Sequence, residues 1–413
     1  MGSYIPKVLF IGAVWPEPKS SAGGTRLMQL LHLFRSEKYE VHYCSSATES
    51  PFMEDISSLG IQTFSVKLNC DSFNTRIETL NPDVVIFDRF MMEEQYGWRV
   101  DESCPGALKI IETIDLHCLR LARKEQLKTG NKFKEILLNS ATAKREIAAM
   151  LRSDLSLVIS EAEIEILEEY FSFPKELLFY LPFQVSDIGN VVRKTFKEKV
   201  DFISIGNFKH DPNWDSVLHL KKVIFPLIRK QLPKTILKVY GSYPDEKAFN
   251  LNNEKEGFQV LGRADDALEV MNNARVCLAP LRFGAGIKGK LIDAMLTGTP
   301  NTTTTVGAEG MKGINEWSGI ITDDDQEFAD QAVKLYNNKT EWTSAVNNGD
   351  TILKEQFAVQ QAHLDLMERI DVLQINRESH RQNNFMGSML KHHTLQSTKF
   401  MSRWIQEKNK QKK

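Results

Sequence analysis

Gly284-Ala285-Gly286-Ile287-Lys288-Gly289-Lys290 sets three glycines within six residues and two lysines beside them, directly before the helical pattern Leu291-Ile292-Asp293-Ala294-Met295. A glycine-rich loop leaves amide N–H groups open, a helix N-terminus adds partial positive charge, and lysine adds a full one. Those are the means by which a chain holds phosphate. Asp293 follows a short way into the helix, where a carboxylate can reach sugar hydroxyls next to the phosphates. The ligand this arrangement predicts is a nucleotide with a sugar-like arm.

Other candidates sit where strand patterns end. Ser204-Ile205-Gly206-Asn207-Phe208-Lys209 is a strand running into a glycine turn, and Asp211-Pro212-Asn213 then starts a helix. Gly206 could admit a ligand and Lys209 could meet a phosphate, while Pro212 and Asn213 read as structural and His210 as part of the turn. Val239-Tyr240-Gly241-Ser242 and Leu261-Gly262-Arg263 repeat the strand-to-glycine form. Such turns lie at the carboxyl edge of a doubly wound sheet, where ligands bind, although a glycine after a strand is often only a turn. Near the N-terminus, Gly23-Gly24-Thr25-Arg26 follows the first strand through the loop Trp15 to Ala22 and opens a helix. It reads as a ligand-facing loop or as a flexible loop with a glycine cap, and Arg26 as a phosphate partner or a surface residue. Ile114-Asp115-Leu116-His117 puts an imidazole beside a carboxylate at a strand end, a pairing suited to a cleft. A cap or surface role for His117 is the alternative. Arg120 and Arg123 follow at helical spacing, aimed the same way or at solvent, and Glu309 lines the cleft or is a loop carboxylate.

The elements that must position these residues follow an α/β rhythm. Val8–Ala13, Glu40–Cys44, Gln62–Val66, Val84–Asp88, Leu108–Glu112, Leu155–Ile159 and Leu177–Leu181 read as buried strands, with helical spacing in Thr25–Phe34 and Phe133–Met150. The pattern breaks at Pro182 and the polar stretch Ser186–Lys199, then restarts with Phe202–Ile205, a helix from Pro212 to about Lys230, Leu237–Tyr240, Gln259–Leu261, Val276–Pro280, Pro300–Thr303 and Gly319–Thr322. Near-continuous apolar strands alternating with helices predict parallel sheets covered on both faces, here in two doubly wound Rossmann-like domains facing a cleft. The expected boundaries are 1–185, a hinge at 186–200, 201–356, a C-terminal helix at 357–382 and a basic polar tail at 383–413. Met401, Trp404 and Ile405 give that tail a weak apolar stripe, read as a solvated or self-docking helix or, alternatively, as a weak membrane-surface contact.

Composition narrows the class. A length of 413 residues favours two domains, and 42% hydrophobic with 26% charged residues fits a globular protein. A net charge of -2 supplies no global field for nucleic acid. The five scattered cysteines form no Cys-x-x-Cys pair, which fits reduced thiols in a cytoplasmic setting rather than a zinc site. No apolar run reaches the length of a membrane span.

Residues 201–311 resemble the nucleotide-sugar domain of retaining GT-B glycosyltransferases, the glycosyl transferases group 1, family 4-like. The likeness rests on the Gly206 turn with Pro212-Asn213, Val239-Tyr240-Gly241, Leu261-Gly262-Arg263, Ala279-Pro280-Leu281, the Gly284–Lys290 loop, Asp293-Ala294-Met295, Gly298-Thr299-Pro300 and Gly307-Ala308-Glu309-Gly310. The first domain fits more loosely and the last thirty residues not at all. The resemblance implies a hexosyltransferase-like enzyme that moves a sugar from a nucleoside-diphosphate sugar to an unidentified acceptor hydroxyl with retention. It implies no metal and no cofactor beyond that co-substrate. Gly286, Ile287 and Lys288 would hold the diphosphate, with Gly284 also on the donor side, Asp293 would bind the ribose, and Gly262 and Arg263 would border the base. Gly206, Lys209 and Gly241 would complete the donor side. Gly23, Gly24 and Thr25 would approach the diphosphate and acceptor, and Asp115 or His117 would face the donor sugar. One departure is Ala285, where the family often carries the first of two glutamates eight positions apart. It motivates a rival reading as an inactive nucleotide-sugar binder or regulatory protein. An epimerase of the same form is a further alternative, whereas a nicotinamide dehydrogenase lacks its Gly-x-Gly-x-x-Gly after the first strand.

Overall fold

The computed structural model describes residues 4–185, 188–358 and 361–410. Strands β1 (Lys7–Gly12), β2 (Glu40–Ser45), β3 (Gln62–Ser65), β4 (Val84–Asp88), β5 (Leu108–Glu112), β6 (Leu155–Val158) and β7 (Leu178–Tyr180) form a parallel sheet ordered β3-β2-β1-β4-β5-β6-β7. A second parallel sheet contains β8 (Val200–Ile205), β9 (Leu237–Tyr240), β10 (Phe258–Gly262), β11 (Ala274–Ala279), β12 (Asn301–Thr303) and β13 (Gly319–Ile321), ordered β10-β9-β8-β11-β12-β13. Each order reverses beside its first strand, at β1/β4 and at β8/β11. These are the doubly wound domains the alternation predicts.

The strands are apolar on both faces because both faces are covered. In β1 and β4, Leu9, Ile11, Val85 and Phe87 enter one core with Phe73, Val100, Leu119 and Met150, while Val8, Phe10, Val84 and Ile86 enter another with Leu27, Leu31 and Phe34. That second core also takes Ala362, Leu366, Ile370 and Leu373 from the helix Gln361–Ile375. The chain therefore crosses back after the second sheet and closes the first. Arg381 fastens this return by donating to both carboxylate oxygens of Asp154, each at 2.7 Å. The helix Phe385–Lys410 then docks on the helices Phe90–Ser103 and Ala141–Arg152, so the tail is a self-docked helix. No helix among the described residues is long and apolar enough to cross a membrane.

Two helices differ from the sequence reading for local reasons. The stretch Phe133–Met150 breaks at Ser140, whose side chain accepts from the Ala143 N–H at 3.3 Å and caps a new helix. The helix from Asp211 widens into a π turn at Leu220–Ile224 before Pro226, which has no N–H to continue the ladder.

Arg26 is neither a phosphate partner nor a surface residue. It is 1% exposed, pairs with the fully buried Glu112 at 3.0 Å, and donates to the Pro182 carbonyl at 2.9 Å. Arg26→Ala leaves a carboxylate buried and alone and should destabilise the chain by about 3–5 kcal/mol in urea unfolding, with Glu112→Gln in the same chain recovering part of the loss. A loss below about 1 kcal/mol would show that the pair is not what holds this junction.

Candidate functional site

The carboxyl edges of the two sheets face each other, switch point to switch point. After β1 the chain enters the helix Ala22–Ser36, capped by Ser21, whose hydroxyl accepts from the Gly24 N–H at 3.1 Å. After β11 it enters the helix Gly289–Leu296. The two helix starts touch, since a Cβ on Gly289 would lie 2.8 Å from the Ala22 Cβ. Two helix N-termini, each a positive dipole end, thus converge in one gap, with the Gly24 and Leu291 amides already bonded within their own turns. An apolar cluster seals it, with Ala22, Ile159 and Phe183 against Ile287, Leu291, Ile292 and Met311.

The loop after β5 forms the first-domain wall, and buried carboxylates hold its amides. Glu112 accepts from the Ile114 N–H at 3.1 Å, Glu163 from Leu116 at 3.0 Å, and Glu146 from His117 at 3.0 Å and Cys118 at 2.8 Å. Pinned this way, Ile114 takes φ 62°, a left-handed conformation costly for a β-branched residue. The outcome is a fixed Asp115. Its Oδ1 lies 3.4 Å from His117 Nε2 and its Oδ2 lies 3.4 Å from Arg120 Nε. Burial opposes charge on Asp115, but the His117 hydrogen bond and the Arg120 guanidinium outweigh it and hold the carboxyl well below its usual range. His117 opens the helix His117–Thr129 and stands edge-on to Phe90.

That helix spans the gap. Arg120, Arg123 and Lys124 share one face, and all three engage the second domain. Arg120 donates to His210 Nε2 at 2.9 Å. Burial, then the Arg120 charge, push the His210 pKa down to about 4, which keeps the imidazole a neutral acceptor. Arg123 grips both oxygens of Glu309, at 2.8 and 2.5 Å, and the Gly284 carbonyl at 2.9 Å. Lys124 pairs with Asp211.

The glycine loop lies in the gap, with its groups differently engaged than the sequence suggests. The Gly286 N–H donates to Glu163 Oε1 at 2.8 Å, the same oxygen that holds Leu116, so one buried carboxylate ties both domains. Lys288 is 8% exposed and curls back, its ammonium donating to the Gly286 carbonyl at 2.7 Å. Burial, opposed by Glu309, lowers its pKa, while burial raises that of Glu163. Lys290 is the lysine that reaches the β8 turn. Its Nζ donates to Asn213 Oδ1 at 2.8 Å and stands 2.8 Å from where a Cβ on Gly206 would be. Burial pushes the Lys290 pKa down to about 8. Asp293 sits one turn on, half-buried, its carboxyl pushed up to about 7 by burial and then by Asp266.

The remaining predicted residues divide between wall and scaffold. Gly241 lies against the Gly206 carbonyl and donates to the Gly262 carbonyl at 2.8 Å, so these turns stack along one edge. Lys209 lies over the Tyr243 ring at 4.0 Å, and Arg263 lies over Phe52 of the first domain at 4.5 Å. Tyr243 donates to Glu17 across the gap at 2.7 Å and meets Phe52 edge-on. Gly23 faces Arg89 and Ile114, whereas Gly24 packs under the Glu17 carbonyl and the Thr25 hydroxyl donates to Pro18 at 3.0 Å. Thr25 therefore knits its own loop. Glu112, which ends β5, and Glu146 and Glu163, which lie on helices, escaped the sequence reading because neither strand alternation nor helical spacing separates a buried glutamate from a solvated one. Asn213, which the sequence suggests as structural, and Lys290, one of the two lysines of the glycine loop, are the pair that joins that loop to the β8 turn.

With this geometry in view, residues 199–338 match the family model described as Glycosyl transferases group 1. Among curated proteins the sequence has no match. The fold is similar to sucrose-phosphate synthase from Thermosynechococcus elongatus, with 14% identity and TM-score 0.63 over 89% of this chain and 99% of that one. It is also similar to Anabaena Alr3699/HepE in complex with UDP and glucose, with 11% identity and TM-score 0.64 over 89% of this chain and 99% of that one. A glycosyltransferase from Rickettsia africae gives 10% identity and TM-score 0.65 over 90% and 99% of the two chains. The architecture is GT-B, two parallel α/β domains with a helical C-terminal region.

Two expectations follow. At Gly286, φ is +65° and a Cβ would sit 2.9 Å from both Asp115 Cβ and the Ile114 carbonyl. Gly286→Ala should force the gap open, enlarging the radius of gyration in X-ray scattering and lowering the melting temperature; unchanged scattering and melting would refute the contact. At Asp293, the folded carboxyl binds its proton more tightly than the unfolded one, so its contribution to stability falls as pH rises from 3.8 toward about 7. Asp293→Asn should flatten that part of a melting-temperature profile, and a profile of unchanged slope would count against a buried carboxyl here.

Proposed function

We propose that this chain is a glycosyltransferase that moves a sugar from a nucleoside-diphosphate sugar to an acceptor hydroxyl. The observation carrying the reading is the meeting of two helix N-termini at facing switch points, with Lys290 and the Gly284–Gly289 loop beside them. An anion fits that field, and a diphosphate has the length to reach both helix starts. The family match over residues 199–338 supports the donor side, and the UDP and UDP-glucose complexes of Anabaena Alr3699/HepE make UDP-sugars the first donors to test.

In the proposed reaction the bond from the sugar's anomeric carbon to the diphosphate oxygen breaks, and a bond to the acceptor oxygen forms on the same face. The acceptor proton passes to the leaving phosphate oxygen, so configuration is retained. Charge on the leaving diphosphate is stabilised by the positive dipole ends of both helices, through the amides of Ala22, Gly23, Gly289 and Lys290, by the Ile287 and Lys288 amides, and by the Lys290 ammonium, without a requirement for a metal. Lys288 contributes after exchanging its bond to the Gly286 carbonyl for phosphate. Asp115 and His117 position the donor sugar from the opposite wall; neither serves as a covalent nucleophile.

A second reading, nucleotide-sugar binding without turnover, has its own observation. Ala285, where the resembling family often has glutamate, packs against the apolar core of the first domain. Melting-temperature shifts across UDP, GDP and ADP sugars identify the donor through mass action, and release of nucleoside diphosphate with an acceptor extract separates transfer from binding alone. Lys290→Ala should lower kcat on the order of 10²–10³-fold, as loss of one oriented charge donor does. Unchanged turnover in a folded Lys290→Ala variant would remove Lys290 from the mechanism.

A further inference from the structure

The helix Phe385–Lys410 is docked by one side and carries two exposed apolar patches on the other. On its inner side Ser402 is 3% exposed, accepts from Arg99 at 3.0 Å and donates to Asn69 at 2.8 Å. Gln406 donates to Asp71, and Lys399 and Arg403 pair with Glu102. At the other end a Cβ on Gly387 would lie 2.2 Å from the Leu151 carbonyl, so the helix approaches the first domain backbone to backbone. With about 100° of turn per residue, Met386, Met389, Phe400 and Trp404 fall on the side opposite Ser402, with Phe385 and Met401 on its flanks. They are exposed by 40–75%.

Charge says what covers these patches. The helix carries five lysine or arginine residues and one acidic residue, and the sequence from 408 to 413 holds four lysines. Lys399 and Arg403 pair with Glu102, Lys391 with Asp101 and Lys410 with Glu407, whereas Lys408 stays on the outer part of the helix, its ammonium over the Trp404 ring at 4.9 Å. Two apolar and aromatic patches, Phe385–Met389 and Phe400–Trp404, the second followed by a lysine-rich segment, match a bilayer surface with anionic headgroups. The side chains enter the acyl boundary and the lysines stay among the phosphates. A second copy of the chain fits less well, because it would set one net-basic helix against another.

We propose that these outer patches dock the protein on an anionic bilayer surface, with the inner side holding the helix to the first domain throughout. The proposal does not depend on sugar transfer. The full chain should co-sediment with vesicles containing about 30 mol% phosphatidylglycerol at least about tenfold better than with phosphatidylcholine alone, and added salt should weaken it. Phe400→Ser, Met401→Ser and Trp404→Ser combined should abolish co-sedimentation. Because all three face solvent, the melting temperature and its shift by UDP should stay as in the parent. Lys408→Gln with Lys410→Gln should weaken binding to anionic vesicles only. Absence of vesicle binding by the parent, or binding undiminished by the triple substitution, overturns the proposal. So does a parent dimer that the triple substitution turns into a monomer in light scattering, which would make a second copy the occupant.

Discussion

Three buried glutamates hold four amides where the loop after β5 enters the helix His117–Thr129, and the site depends on that. Glu112, Glu146 and Glu163 stand on different elements and converge on the N–H groups of Ile114, Leu116, His117 and Cys118. A carboxylate removed from water is costly unless donors meet it, and here the loop supplies donors to all three, though to only one oxygen of Glu163. The left-handed Ile114 is a consequence: the loop bends where the carboxylates require, and Asp115 is left facing the other domain. Arg26 then neutralises Glu112 and ties the first helix to the same junction.

Glu163 extends the constraint across the gap. Its single oxygen on Leu116 and Gly286 means that the wall bearing Asp115 and the loop before the helix Gly289–Leu296 are set by one atom. Arg120, Arg123 and Lys124 reinforce closure from one helix face. The groups with charge to offer an anion are therefore placed by protein–protein contacts already formed, in the manner of a preorganised site. Lys290 and the two helix starts stand at its centre.

Much of the fold was readable because parallel strands covered on both faces have few alternatives. Val84–Asp88 and Leu108–Glu112 have the same ends in sequence and structure, and the restart after the polar hinge marks the second sheet. The cross-back was not readable. Leu366, Ile370 and Leu373 have the spacing of any surface helix, and nothing local says which sheet they cover. The site shows the same division. The glycine loop and the Asp115–His117 pair announce themselves by residue type, but whether Lys288 or Lys290 reaches the β8 turn depends on a helix start that a count along the chain does not orient. Arg120 and Arg123 were legible as a stripe, and only packing shows that it points at His210 and Glu309 rather than at water.

The central claim is that a diphosphate binds where the helices at Ala22 and Gly289 meet. Amide hydrogen exchange of the full chain, with and without saturating UDP, tests it most directly. The account predicts slower exchange at two separated segments together, residues 22–26 and 286–291, with residues 114–118 slow in both conditions. Protection confined to one of the two helix starts, or located away from both, would contradict it.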